Sequence, residues 1–487
     1  MTEFALTDVQ YFLDEFYNLK PTYMTGYFGN TAQFMSRTEQ WKGYSMHEKA
    51  ILTLHSGARA TTDLEAAMPT SVTTTALDIE IAKTNLREIQ ASCTITDPAD
   101  TITTDPAHSA LQIAEDIVMQ MEASIAQKRD QLLHGNSRAT KAVVAAKYAL
   151  AGTVYGANRT AFIQIKDGSI ANFQEGSLIT VRNGSSVGPL STDRGIVQVK
   201  DVCRDVYYKG LAIGPGLVIY GYDNDQSTLE TNLDDVAVDD ELCDSSEGSV
   251  GHACGFDTLF PTSFGSTLPW FSVTDRGAAG FQALIPYRKD AASGGAAVDL
   301  DVETHFGWWA NLVPYVIPNS RAYRKTKGVK VTDALVWIAE PKLVHELNRQ
   351  IGSTSSMFTR EFSTSMDAAK RTQLVGNAGF TGSVIHYQDL PPIVVRAEPL
   401  CKPNRIISFD PSSWKWLRLG AEGSGMKPRY ARAPGSNSVF HRLQQTDVAA
   451  TLPSITKRLA CFAYVDEMPY CDCPQSNFAI DGVKSTI

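Results

Sequence analysis

Hydrophobic spacing changes along the chain, and each change marks an element. From Asp105 to Gly135 the apolar positions Ala110, Ala114, Ile117, Met121, Ile125 and Leu132 recur at helical intervals. Asp105 is a good N-cap, and Pro106 suits the first helical position, where its missing N–H costs nothing. Gly135 fits a left-handed position just past the end, and Lys128, Arg129 and His134 complement the C-terminal end of the helix dipole. A helix of that length spans on the order of 40 Å at about 1.5 Å per residue.

Ahead of this helix the period is two. Leu77, Ile79 and Ile81 alternate with Asp78 and Glu80, Thr73 to Thr75 favour strand, and Leu86, Ile89 and Cys93 continue the apolar content. Lys83-Thr84-Asn85 is polar and central, which predicts a hairpin with its tip there. A lone extended hairpin is marginal in water and needs a neighbour. Further upstream, Val9, Phe12, Leu13, Phe16 and Tyr17 lie on one face of a short helix, and Pro21, Gly26, Gly29 and Gly43 break up the aromatic-rich stretch after it. That stretch reads equally as an arm seeking a partner surface and as a helix packed on its own domain.

Beyond the long helix come short strands at Ala161–Ile165, Ser177–Val181, Gly195–Asp201, Val206–Tyr208 and Leu217–Tyr220, punctuated by Gly168, Gly176, Gly184, Gly210 and Gly216. They predict a small barrel or sandwich of its own. Residues 226–258, with Asp234, Asp235, Asp239, Asp240 and Glu241, read as an exposed acidic loop. Residues 300–400 read as α/β: Leu335–Ala339 is a buried strand, Pro341 opens a helix with Leu343, Val344 and Leu347 on one face, and Gly352 closes it. Strands follow at Ser383–Ile385, Ile393–Val395, Arg405–Phe409 and Trp414–Leu419, with Leu459–Val465 as the last.

The 487 residues are 43% hydrophobic, enough for a sizeable core, and their formal charge of −9 argues against a dedicated nucleic-acid binder. No basic segment followed by an apolar run marks an export signal. The best apolar stretch, Ala142 to Ala157, is broken by Lys147 and Gly152 and is too short to span a bilayer. Eight scattered cysteines fit reduced thiols in a cytosolic product.

Candidate chemistry is thin. Gly184-Ser185-Ser186-Val187-Gly188 matches the G-x-S-x-G pattern, but Pro189 follows where a helix must start. Gly420 to Lys427 resembles a phosphate-binding loop, but Met426 intrudes and Pro428 stands where a hydroxyl is needed. His252 and Cys254 near Cys243, and Cys471 with Cys473, lack the spacing and the second pair of a zinc site. Arg321, Arg324, Lys325, Lys327 and Lys330 form a basic cluster, which is ordinarily a solvated face and can also meet an acidic neighbour. No catalytic residue, cofactor or metal is expected.

The order of elements carries a resemblance. Glu122 to Asn136, with its leucines ahead of a glycine, Phe173 to Tyr220, and Leu335 to Leu347 resemble the spine-helix end, the small β module and the strand–Pro–helix unit of tailed-bacteriophage major capsid proteins of the Hong Kong 97 fold. His386 to Leu390 and Arg405 to Leu419 are similar to the strands that lead back into the P domain. The length is large for that family, and Gln226 to Ala297 matches nothing in it. The resemblance implies an α+β chain with an N-terminal arm at 1–65, an E-loop hairpin at 66–104, a P domain with spine helix at 105–159, an inserted β module and acidic loop at 160–258, an A domain at 259–400 and return strands to the P domain at 401–487.

It further implies a non-enzymatic shell subunit. The implied partners are many copies of itself as hexamers and pentamers, a separate scaffolding protein, a portal, decoration proteins and packaged double-stranded DNA, in a virion assembled in the host cytoplasm. With so short an arm, no scaffolding segment is expected within the chain itself. Phe12, Phe16, Lys83, Asn85, Arg321, Arg324, Lys325 and Lys327 are the candidates for contacts between subunits. Some members join a lysine to an asparagine of a neighbour with a glutamate as base. The stretch Ala82 to Asn85 has little apolar cover and no identifiable glutamate, so a charge contact by Lys83 is expected instead. A nanocompartment shell protein and an unplaced α/β enzyme are the alternatives.

Overall fold

A computed structural model describes residues 3–4, 31–35, 38–41, 46–51, 78–83, 88–96, 113–136, 138–149, 160–184, 193–221, 236–244, 254–261, 270–271, 273, 275–277, 284–331, 334–354, 384–385, 392–419, 429–430, 440–446 and 455–486. Mixed sheets and helices make the chain α+β. It divides into two compact units. The first comprises Met1–Phe28, Leu86–Asp130 and Arg418–Glu467; the second comprises Gly29–Asn85, Gln131–Leu417 and Met468–Ile487. Among the described residues no helix is long and apolar enough to cross a membrane.

In the first unit, Glu88–Thr96 pairs antiparallel with the long strand Ile455–Cys471, from Glu88 opposite Asp466 to Thr96 opposite Arg458. Glu3–Phe4 adds to Glu88–Thr96 in parallel, and Phe440–Thr446 runs antiparallel to the long strand. Glu467 forms a buried ion pair with Arg129. Burial pushes the Glu467 carboxyl up and the Arg129 guanidinium down, and the pairing opposes both.

Helix α1, Ile113–His134, contributes its part up to Asp130 to the first unit and Gln131–His134 to the second. Met121, Ile125 and Leu132 are buried as their spacing predicts; Asp105, Pro106 and Ala110 lie outside the described residues. The end differs from expectation. Gly135 does not adopt positive φ, and the left-handed residue is Ala139, at φ 61°. The glycine serves close approach instead: a Cβ there would lie 3.2 Å from the Gln131 carbonyl oxygen. Asn136 organises the exit, its Oδ1 accepting from the backbone N–H groups of Arg138 and Thr140, both at 3.0 Å.

The second unit holds a closed six-stranded barrel: β1 Thr140–Ala149, β2 Thr160–Lys166, β3 Leu178–Arg182, β4 Asp193–Cys203, β5 Gly216–Gly221 and β6 Glu241–Asp244. The order around it is β5-β2-β1-β6-β3-β4, closing from β4 back to β5. Four of the expected strands coincide with β2 to β5. Two members were not foreseen. β1 falls within the 105–159 segment that the resemblance assigns to the P domain, and β6 within the segment 226–258 expected to be an exposed acidic loop. Their alternation is the reason they belong: Ala142, Val144 and Leu242 point inward with Ile163, Val181, Val197, Leu217 and Ile219 into one packed interior. Asp240 is buried rather than exposed, and its carboxylate accepts from the Ala237 N–H at 2.8 Å. Val206–Tyr208 is not a barrel strand but part of the excursion between β4 and β5.

A six-stranded mixed sheet follows: β7 Tyr287–Asp290, β8 Leu335–Ala339, β9 Val384–Ile385, β10 Ile393–Ala397, β11 Arg405–Phe409 and β12 Phe478–Asp481, in the order β7-β12-β11-β8-β10-β9. Its strands β8, β11 and β12 are buried on both faces, which is why Leu335–Ala339 reads as a continuous apolar run. Leu335 and Trp337 pack with Trp309, Leu343 and Leu347, while Val336 and Ile338 pack with Leu133, Phe256, Trp270 and Trp414. Three short or long helices flank this region: α2 Phe256–Leu259, α3 Val302–Thr326 and α4 Pro341–Thr354. α3 escaped the sequence reading because Gly307, Pro314 and Pro318 weaken its helical signal; its burial of Trp309 and Ile317 compensates for the lost backbone bonds. α4 runs through Gly352 to Thr354 instead of stopping there.

Two further expectations are corrected. Leu459–Val465 is not the final strand: β12 comes later and sits between β7 and β11 inside the mixed sheet, and β11 lies beside β8. Within 401–487, Arg405–Phe409 and Phe478–Asp481 complete the same sheet as Leu335–Ala339, whereas Ile455–Cys471 belongs to a separate sheet with Glu88–Thr96. The hairpin is also different. Asp78–Lys83 pairs with Met46–Ile51, not with Glu88–Thr96, and Lys83 stands opposite Met46. Residues 52–77 connect the two paired strands, so Lys83 lies at the end of the ladder away from that connection and not at a tip. Alternation specifies a strand and its faces but not its partner.

Candidate functional site

The expected contact residues end up in different places. Phe12, Phe16 and Asn85 lie outside the described residues. Lys83 closes the two-stranded ladder with Met46. Lys325 and Lys327 are exposed at the C-terminal end of α3 and just beyond it. Arg321 and Arg324 are not part of that surface. Three residues apart on a helix, they share a face, and both turn inward onto Asp410, which is wholly buried. Arg321 Nε donates to the carboxylate at 3.2 Å and its Nη2 to the Ala334 carbonyl at 3.2 Å; Arg324 pairs with the same carboxylate and reaches Ser412 Oγ at 2.7 Å. Ser412 donates its hydroxyl and its backbone N–H back to Asp410. Burial alone would raise the Asp410 carboxyl, but Arg324 and Arg321 outweigh it and hold it below its usual range.

A second ionic centre joins strands to α2. Arg405 and Asp481 are opposite each other across β11 and β12 and form an ion pair. The same guanidinium donates to Asp257 of α2 at 2.9 Å and to the Phe260 carbonyl at 3.2 Å. Arg288 pairs with Asp481 from the other side, and Lys402 lies 3.2 Å from Asp257. Burial works against the Arg405 charge, yet Asp481 and Asp257 raise its pKa above the ordinary value.

A third cluster ties Thr31 to Glu398 and His134. Glu398 is fully buried and accepts from Thr31 twice, from the N–H at 3.0 Å and from the hydroxyl at 2.7 Å, and from the Leu400 N–H at 3.2 Å. His134 Nε2 lies 3.3 Å from the Thr31 hydroxyl oxygen. The hydroxyl proton is committed to Glu398, so Nε2–H donates to Thr31 and fixes the tautomer. The imidazole packs on Phe256, with ring centroids 5.3 Å apart. Burial lowers its pKa, against the pull of Glu398 and Asp257.

A pH dependence follows. With its folded pKa lowered, His134 stays neutral where the unfolded chain is already taking up a proton, so stability is lost as pH falls through about 6.5. The loss is at most about 1.4 kcal/mol per pH unit. His134→Gln keeps a donor for Thr31 and removes the titration. Thermal melts at pH 7.5 and 5.5 are expected to converge in the variant relative to wild type; an unchanged difference would refute the assignment.

None of these clusters has the make-up of a metal centre; among the described residues no group of three or more His, Cys, Asp or Glu could hold an ion. Cys243 sits in the barrel and Cys254 in the core beside the mixed sheet, so the two are not brought together, and burial pushes each thiol up to about 11.

No family model matches the chain, and no curated protein matches it. Solved structures do match. At 11% identity and a TM-score of 0.41, it is similar over 96% of its length to 98% of a chain in the cyanophage A-1(L) capsid asymmetric unit. A structure from Mycobacterium phage Ogopogo is similar at 9% identity and a TM-score of 0.36, covering 98% of this chain and 99% of that one. The capsid of an empty GTA particle is similar at 10% identity and a TM-score of 0.38, covering 96% and 95%.

Asp410, Asp481, Asp257, Glu398 and Thr31 were missed by the sequence reading. The one local signal was the spacing of Arg321 and Arg324, which on a helix points both guanidinia at a shared anion.

Proposed function

We propose that this chain is a major capsid protein of the Hong Kong 97 type, assembling into the icosahedral shell around the double-stranded DNA of a tailed bacteriophage. The observation that carries this reading is the ribbon of Met46–Ile51 and Asp78–Lys83. Among the described residues it belongs to no larger sheet. An isolated two-stranded ribbon is at best marginal in water and gains stability from a surface supplied by another molecule. The order of elements supports the same reading: ribbon, long helix α1, a closed barrel inserted directly after it, then a mixed sheet with its helices. In this role the chain is structural, needs no cofactor, and works as hexamers and pentamers of itself in the virion, with a separate scaffolding protein, a portal and decoration proteins as partners.

In such a shell the ribbon of Met46–Ile51 and Asp78–Lys83 lies on the adjacent subunit, and Lys83, Lys325 and Lys327 make charge contacts there. Each exposed pair contributes only about 0–1 kcal/mol, but the contact recurs in every copy. Light scattering and electron microscopy of the purified chain test the reading. Closed particles of many copies are expected; a monomer or small oligomer under all assembly conditions would overturn it. Denaturing electrophoresis of those particles is expected to give one band near 53.1 kDa. A ladder of covalent multimers would replace the charge contact of Lys83 with a crosslink.

A further inference from the structure

The barrel carries an apolar knob on its outer wall. Phe162 on β2 and Val218 on β5 face away from the barrel interior, yet both are fully buried. They are covered by the chain between β4 and β5, whose Tyr208 and Ile213, with Cys203 at the end of β4, form a separate small core with them. The Tyr208 ring lies 5.0 Å from that of Phe162, and its hydroxyl donates to Asp201 at 3.1 Å. Tyr208 and Leu211 exchange two backbone hydrogen bonds, 2.8 and 2.9 Å, around a tight turn in which Lys209 and Gly210 both have positive φ. The Gly214 N–H donates to the Val206 carbonyl at 2.9 Å, and Asp205 Oδ1 accepts from the Val206 N–H at 2.6 Å.

This bracing holds three large apolar side chains in water. Val206 is 50% exposed, Tyr207 62% and Leu211 55%. A loop that only closed the barrel wall would turn polar residues outward. We propose that this knob is a contact between copies of this chain in the assembled shell, seated on an acidic surface of a neighbouring subunit; the inference rests on the shell reading above.

Two observations select a second copy as the occupant. The three side chains expose on the order of 300 Å², against about 800 Å² per partner in a standard interface. The knob is therefore too small to hold an isolated pair and suited to a contact made many times in one closed assembly. The residues flanking it in the chain include exposed Lys200, Arg204, Lys209 and Asp205, with half-buried Asp201 bonded to Tyr208, a local excess of one positive charge on a chain whose net charge is −9. A copy of the chain is thus, on average, an electrostatically favourable partner for the knob. The turn is already ordered, so seating it costs little conformational entropy.

The test is the variant Tyr207→Ser with Leu211→Ser, which leaves Tyr208, Ile213 and the small core untouched. The unassembled variant is expected to melt with wild type, while the fraction sedimenting as particles falls at least tenfold. A photoreactive phenylalanine at position 207 of otherwise wild-type chain is expected to give bands at multiples of 53.1 kDa in assembled particles. The proposal is overturned if the variant assembles as wild type does, or if the crosslink captures a protein of another mass or nothing. Failure of the wild-type chain itself to form particles is a separate result: it removes the shell reading and this contact with it.

Discussion

Asp410→Asn is expected to lower the melting temperature of the second unit by roughly 5 °C. The carboxylate is wholly buried and is the shared counter-charge of Arg321 and Arg324, which are themselves 8% and 6% exposed. An amide in its place leaves two buried cations without a compensating charge. Breaking a buried pair in this way costs about 3–5 kcal/mol, and a unit of this size shifts by only about 1.3 °C for each kcal/mol, because its unfolding entropy scales with its length. The pair is nonetheless replaceable as a whole. The triple change Asp410→Leu, Arg321→Met, Arg324→Met is expected to recover most of the loss, because no charge remains to be desolvated. Differential scanning fluorimetry decides, and a shift under about 2 °C for Asp410→Asn would show that water reaches the arginines. The sign of the pH effect is set by the lowered carboxyl pKa. The stability it contributes is present above the unfolded value of about 3.9 and disappears as pH falls through the folded one, so wild type and variant converge only in acid.

Arg405→Met is expected to be comparably damaging, with most of the chain recovered as insoluble protein. Arg405 holds the neighbouring strands β11 and β12 to α2 through Asp481, Asp257 and the Phe260 carbonyl. Its loss leaves two carboxylates facing an apolar side chain, at a cost of about 3–5 kcal/mol. Arg288 and Lys402 remain beside Asp481 and Asp257 and keep the loss toward the lower end of that range. Arg405→Lys separates charge from geometry. A lysine keeps the charge but cannot reach both carboxylates with a planar fork, so an intermediate soluble yield and melting temperature are expected. Equal yields for the Met variant and wild type would mean that Asp257 and Asp481 are satisfied without Arg405.

The sequence by itself determined those elements whose signal is local. Leu335–Ala339 is five consecutive buried residues, and α4 follows at Pro341 with Leu343, Val344 and Leu347 on its buried face. The barrel strands β2 to β5 were legible because alternating apolar residues are bounded by glycines. The body of α1 was legible through Met121, Ile125 and Leu132. In each case the period of the backbone and the burial of one face leave their mark within a few residues.

Tertiary structure decided the rest, because the groups concerned are far apart in sequence. Arg405 meets Asp481 across 76 positions and Asp257 across 148, and Arg321 meets Asp410 across 89. Nothing near Arg321 distinguishes a solvated cation from one committed to a buried carboxylate; only the sheet that brings Asp410 beneath α3 does so. The partner of Asp78–Lys83 was likewise undetermined, since the same alternation satisfies pairing with Met46–Ile51 or with Glu88–Thr96. The acidic segment at β6 entered the barrel because Leu242 completes an interior formed by strands up to about a hundred residues away. Local periodicity states which face of an element avoids water, whereas strand partners, barrel closure and ion pairing depend on which distant surfaces arrive to cover that face.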